Sequence, residues 1–118
     1  MAFQCGFFNS INGDRTYTAE QMCIPYHRIV SNGVFAKPDG TASDDFQVLS
    51  NNNMTVTVKI GEGIFFDKWC KMDSDMLLNV TESHAVFARI DSIAIRINNN
   101  DRTGSVVYID GTPSSNPT

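Results

Sequence analysis

No apolar run in this chain extends beyond a few residues, so nothing in the sequence can span a bilayer as a helix. Basic residues are few and scattered. Nine Lys and Arg stand against 13 Asp and Glu, a formal charge of -4, and phosphate binding needs clustered cations that are absent here. Cysteine is scarce, odd in number and unpaired in pattern: Cys5, Cys23 and Cys70 form no C-x-x-C motif, which excludes a disulfide framework and a zinc knuckle. The start, Met-Ala-Phe-Gln-Cys-Gly, has neither the charged opening nor the apolar middle of a secretory signal. The chain is therefore expected to fold in a cytosol, and the sequons at Asn53 and Asn79 read as coincidence.

Catalytic signatures are missing as well. No serine sits in a G-x-S-x-G elbow, and no cysteine shares a known signature with His27 or His84. Gly61-Glu62-Gly63 lacks the third glycine and following helix of a dinucleotide loop. Cys23 and His27 have the i, i+4 spacing of one helical face, but Pro25 between them interrupts that face and the further zinc ligands are not indicated. Asp39, Asp44, Asp45, Asp73 and Asp75 do not follow the alternating spacing of a calcium loop and read as turn residues. The expectation is a protein that is not an enzyme, with no metal and no cofactor.

What the sequence does hold is core material: 42% of its 118 residues are hydrophobic, enough for one domain rather than a disordered chain. Residues 1–18 lack periodicity and read as an extended arm, with Phe3, Phe7, Phe8 and Tyr17 as aromatic anchors between polar turns. These four are candidate contacts to a neighbouring subunit or hub; the competing reading is that they cover their own sheet. Thr18 and Gln21 have capping-box spacing, predicting a turn at 19–23, then a helix from Pro25 to Ser31 with Tyr26, Ile29 and Val30 buried.

Beyond Asn32-Gly33 the signals are those of strands. Phe46–Ser50 is short. Met54–Ile60 alternates strictly, with Met54, Val56, Val58 and Ile60 on one face. Gly63–Phe66 and Trp69–Met72 form a predicted hairpin about Asp67-Lys68, followed by a strand at Met76–Val80. Thr81–Ala88 is ambiguous. Ile93, Ile95 and Ile97 alternate again, with a bend expected near Asp91-Ser92, and Ser105–Ile109 is the last strand. Residues 112–118 have the composition of a linker to a possible further domain. The predicted fold is mainly β over 19–111: a small sandwich or flattened barrel of about seven short strands with one short N-terminal helix. Phe65, Phe66 and Trp69 flank one turn and could stack against a sugar, although aromatics at such a tip also serve as core anchors. Arg89 and Asp91 are spaced for a local ion pair.

Several segments taken together resemble a known family. They are Phe7-Phe8-Asn9-Ser10-x-Asn12-Gly13-Asp14-Arg15-x-Tyr17 with Ala19-Glu20-Gln21-Met22, then Asn32-Gly33-Val34-Phe35, Val58-x-Ile60-Gly61-x-Gly63, Arg89-Ile90-Asp91-x-Ile93 and Gly111-Thr112-Pro113. The pattern resembles the N-terminal attachment domain of baseplate upper proteins and of tail fibre (receptor-binding) proteins from tailed phages and prophages of Gram-positive bacteria. It covers nearly the whole chain; the first motif is fairly specific and the glycine and Arg-x-Asp pieces are weak alone. The resemblance implies a virion structural protein, made in the bacterial cytoplasm and placed in the virion tail. It also implies homotrimers fixed to a baseplate hub or distal tail protein, with no membrane insertion. A carbohydrate-binding module for host cell-wall glycans is the alternative, on the strength of Phe65, Phe66 and Trp69. A cell-wall hydrolase has no residue pattern behind it.

Overall fold

The computed structural model describes residues 3–118 and is mainly β, as the strand alternation implies. Eight strands form three small antiparallel sheets. The first sheet orders β1 (Gly33–Val34), β4 (Gly61–Phe65) and β5 (Lys68–Met72). The second orders β2 (Val48–Ser50), β3 (Thr55–Val58) and β6 (Met76–Asn79). The third is a ribbon of two longer strands, β7 (Ser92–Asn98) and β8 (Thr103–Ile109). The strands do not close into a barrel, and β1 is an eighth strand too short to leave a sequence pattern.

Near the N-terminus, α1 spans Ala19–Cys23. It is held by the predicted capping box: the Gln21 amide donates to the Thr18 hydroxyl at 3.2 Å, and the Thr18 amide to the Gln21 side chain at 2.9 Å. The expected helix from Pro25 to Ser31 does not form. Only a 3-10 turn, Ile24–Tyr26, comes next, and a single i to i−4 bond from Val30 to Tyr26 closes it. The physical reason is lack of support. So short a segment cannot propagate a helix without a buried face, and Ile29, expected inside, is 83% exposed.

The hairpin also differs by one residue. Phe66 and Asp67, not Asp67 and Lys68, form the turn, both with positive φ (51° and 63°), the hallmark of a type I′ connection. Phenylalanine is disfavoured in that conformation, so propensity pointed past it. The segment 81–88 stays irregular. The His84 ring stacks on Phe87, and its Nδ1 accepts the amides of Val86 and Phe87 at 3.1 and 3.0 Å.

Packing is strong within each sheet and sparse between them. Val58 is the one fully buried hydrophobic side chain among the described residues, at 2% exposure. Met54 and Ile60, which flank β3 and are expected on the same inward face, are each about half exposed. The radius of gyration is 19.6 Å, against roughly 13.5 Å for a compact chain of this length. The body is elongated, 66 × 35 × 23 Å.

Candidate functional site

Three features are built with enough precision to matter: the arm, the hairpin tip, and the space where the sheets meet. In the arm, Phe7 packs edge-to-face on Tyr17 at 5.5 Å, and the Phe8 amide donates to the Tyr17 hydroxyl at 2.8 Å. Arg15 lies over the Phe8 ring at 5.8 Å, within cation–π range. The turn between them is fixed by the Ile11 amide on the Asp14 carboxylate at 2.7 Å. The arm thus folds on itself about Tyr17. Phe3 makes no such pairing and is 91% exposed; Phe7 and Phe8 remain more than half exposed. The arm touches the body near Gln21, Ile24 and Pro25, across a cavity of about 240 Å³.

The hairpin tip is tied down from the N-terminal side. The Phe66 amide donates to the Asn32 side chain at 2.7 Å, the Cys23 thiol to the Asp67 carbonyl at 3.2 Å, and His27 Nδ1 meets the Asp67 carboxylate at 2.6 Å. Cys23 and His27 therefore do converge, on Asp67; among the described residues no set of three such groups is placed to hold a metal ion. Of the three tip aromatics, Trp69 (79% exposed) and Phe66 (66% exposed) stand in solvent. Phe65 does not join them. The register pairs Trp69 with Ile64 and Phe65 with Lys68, so Phe65 and Trp69 project from opposite faces of the hairpin. Phe65 instead meets Phe46 edge-to-face at 6.2 Å.

Where the sheets meet there is a trench instead of a closed core. Its central part, about 250 Å³, lies between Val34, Val48, Val58 and Phe65 on one side and Ile95 and Val106 on the other. A second part of about 330 Å³ continues past Phe46, Met72 and Met76 to Cys70, and a third of about 390 Å³ runs on to Ile97 under Trp69. Successive parts share lining residues, Phe46 and Ile95 at one junction and Cys70 and Gly104 at the other. Register explains the apolar lining. Ile93, Ile95 and Ile97 share one face of the ribbon with Tyr108, Val106 and Gly104, and that face looks into the trench. Sequence alternation identifies the face; it carries no sign of which sheet the face meets. Burial raises the Cys70 thiol pKa above its ordinary value.

One polar cluster fastens the ribbon to the C-terminal exit segment. The Arg89 guanidinium grips Asp91 with two bonds, at 2.8 and 3.2 Å, and also donates to the Thr81 carbonyl at 2.8 Å. The Tyr108 hydroxyl donates to the same carboxylate. Arg89, then Tyr108, then the Gly111 amide hold the Asp91 carboxyl well below the usual carboxylate range. The hydrogen bond to Asp91, and then burial, raise the Tyr108 hydroxyl above its ordinary value. Ser114 pairs with Ala88 beyond this cluster, so the exit segment is docked as far as Ser114. The expected Arg89–Asp91 pair is thus the centre of a structural clasp.

The accessible surface is 9481 Å² for 13.1 kDa, whereas a compact monomer of that mass exposes about 6,400 Å², so the excess is about 3,100 Å². The arm contributes to it, with Phe3, Phe7, Phe8 and Ile11 all exposed. No helix among the described residues is long and apolar enough to cross a membrane. Comparisons with models of known protein families, with curated proteins and with solved structures find no match.

Proposed function

We propose that this chain is a virion structural protein, the domain that anchors a tail fibre or receptor-binding protein to the baseplate or tail tip of a phage. The observation that carries the reading is the excess of accessible surface, with large hydrophobic side chains exposed along the arm. A protein whose aromatic arm and inter-sheet space both lie open is suited to being completed by neighbours. In this role the chain assembles as a homotrimer, and Phe3, Phe7, Phe8 and Tyr17 of the arm engage an adjoining subunit or the hub. The clasp at Asp91 gives the exit segment a fixed direction toward a distal domain. The family resemblance of the arm motif points the same way.

The test is immunoelectron microscopy of phage particles induced from the bacterium that carries the gene. Labelling at the tail tip is expected; particles without label, from lysates that contain the protein, would sink the proposal. A second reading, a carbohydrate-binding module, has Phe66 and Trp69 in its favour, since both stand exposed on a tied-down turn. It requires host cell-wall glycans to bind the chain and to lose that binding on Trp69→Ala.

A further inference from the structure

We infer that the outer part of the trench, under Trp69, is a binding site for an acidic saccharide, a sugar ring that carries an anionic group. The site goes beyond attachment and is independent of it. It rests on the second reading above only for Trp69 as a stacking face, and it adds a floor, a charge and a ligand class.

The stacking face is rigid. Trp69 is largely exposed, yet it lies within β5, paired with Ile64. The adjoining turn is fastened from outside by Asn32, Cys23 and His27. An indole left in water forgoes the burial that drives folding; held in place, it meets a ligand with little ordering entropy to lose. Beneath it lies the cavity of about 390 Å³, floored by Cys70, Ile97 and Gly104, a size that suits a small ligand. Gly104 keeps that floor open. It pairs with Ile97 across the ribbon, and a Cβ there would touch Ile97 Cδ1 at 3.4 Å and Cys70 Sγ at 4.0 Å.

The walls carry one sign of charge. Acids outnumber bases in the chain, but no carboxylate lines this cavity, whereas Lys68 and Arg102 both do. Neither cation forms an ion pair among the described residues. The acid beside each is engaged elsewhere: Asp67 meets His27, and Asp101 accepts from the Asn98 side-chain amide at 2.8 Å. Arg102 also has a φ of 56°, which glycine or asparagine adopts at less cost. A turn that needed only its shape would be better served by either. What arginine adds is a planar cation able to grip an anionic group with two bonds.

These features select the occupant. Trp69 is the one aromatic ring lining the cavity, so a nucleobase that is held between two rings finds only half its seat. A sugar ring needs a single aromatic face. Its C–H side rests on the indole and its hydroxyls reach the polar rim, here Asn99 and Thr103. Two cations without carboxylate partners then call for an anion on that sugar.

Trp69 is the single tryptophan of the chain, so its emission reports on this site. Trigalacturonate, sialyllactose and glucose-6-phosphate are titrated into the intact chain beside neutral counterparts: trigalacturonate methyl ester, lactose and glucose. Adenosine monophosphate serves as the planar-ring comparator. At least one acidic sugar is expected to bind saturably, roughly tenfold more tightly than its neutral counterpart, and more weakly as salt is raised. Which of the three binds distinguishes carboxylate from phosphate. Arg102→Asn removes the cation and relieves the backbone, and it should weaken binding roughly fivefold, as should Lys68→Gln. Gly104→Val fills the floor and should abolish binding measured by calorimetry. Arg96→Gln, on the opposite face of β7 from Ile97, should leave it unchanged, with far-ultraviolet dichroism confirming that each variant folds. Equal binding of acidic and neutral sugars overturns the inference and leaves the glycan-binding reading in place. Binding of adenosine monophosphate alone, binding of none of the sugars, or undiminished binding in Arg102→Asn and Lys68→Gln also overturns it. None of these outcomes alters the attachment role, which the tail-tip label decides.

Discussion

The Gly111 amide donates to the Asp91 carboxylate at 2.8 Å, so one side chain at the entrance to β7 fastens the chain as it leaves β8. The two positions are twenty residues apart yet define the same end of the ribbon. Because that carboxylate also receives Arg89 and Tyr108, the ribbon has a pH-sensitive anchor.

Its sign is set by the direction of the shifts. Asp91 titrates lower in the folded chain than its ordinary 3.8. Its stabilisation is complete above that pH and is lost as pH falls from there toward the depressed folded value. Tyr108 titrates above its ordinary 10.0, so its contribution is complete below that pH and is lost as pH rises through the raised folded value. Asp91→Asn should flatten both limbs of the profile; Tyr108→Phe should remove the alkaline limb and shrink the acid one, leaving the part that Arg89 and Gly111 supply. Thermal melts from pH 2 to 11 give the comparison.

Gly111→Ala should release the exit segment. A Cβ at that position would lie 2.0 Å from the Ile90 carbonyl oxygen, and backbone there cannot yield cheaply. A loss of about 1–3 kcal/mol is expected, with faster proteolysis after residue 111 as the local sign.

Phe66→Asn should stabilise the hairpin by about 1 kcal/mol, because asparagine tolerates the positive φ that phenylalanine adopts here under strain. Denaturant midpoints measure the gain. The same substitution should weaken any ligand or neighbour that stacks on Phe66, which separates stability from recognition at one residue.

Val58→Ala removes two methyl groups from the best-buried position and should cost about 2 kcal/mol. Thermal and denaturant melts measure the loss.

Much of the fold was legible locally. The alternation at Met54–Ile60 and at Ile93–Ile97 placed β3 and β7, and Thr18 with Gln21 placed the start of α1. Errors arose where tertiary contacts overrode local preference. Pro25–Ser31 has helix-start chemistry but nothing to pack against. Phe66 occupies a turn position that its own preference rejects, because Asn32, Cys23 and His27 hold the tip from outside. The arm residues could be named from their spacing, and Tyr17 is the pivot about which Phe7 and Phe8 fold. The trench could not be anticipated. Periodicity tells which face of a strand is apolar, and it is silent on whether the facing sheet belongs to the same chain.

The most direct measurement is the solution mass by light scattering after size exclusion, for this chain and for one lacking residues 1–16. A trimer for the full chain, with loss of trimer on removing the arm, is the expected result. A compact, folded monomer from the full chain would contradict it.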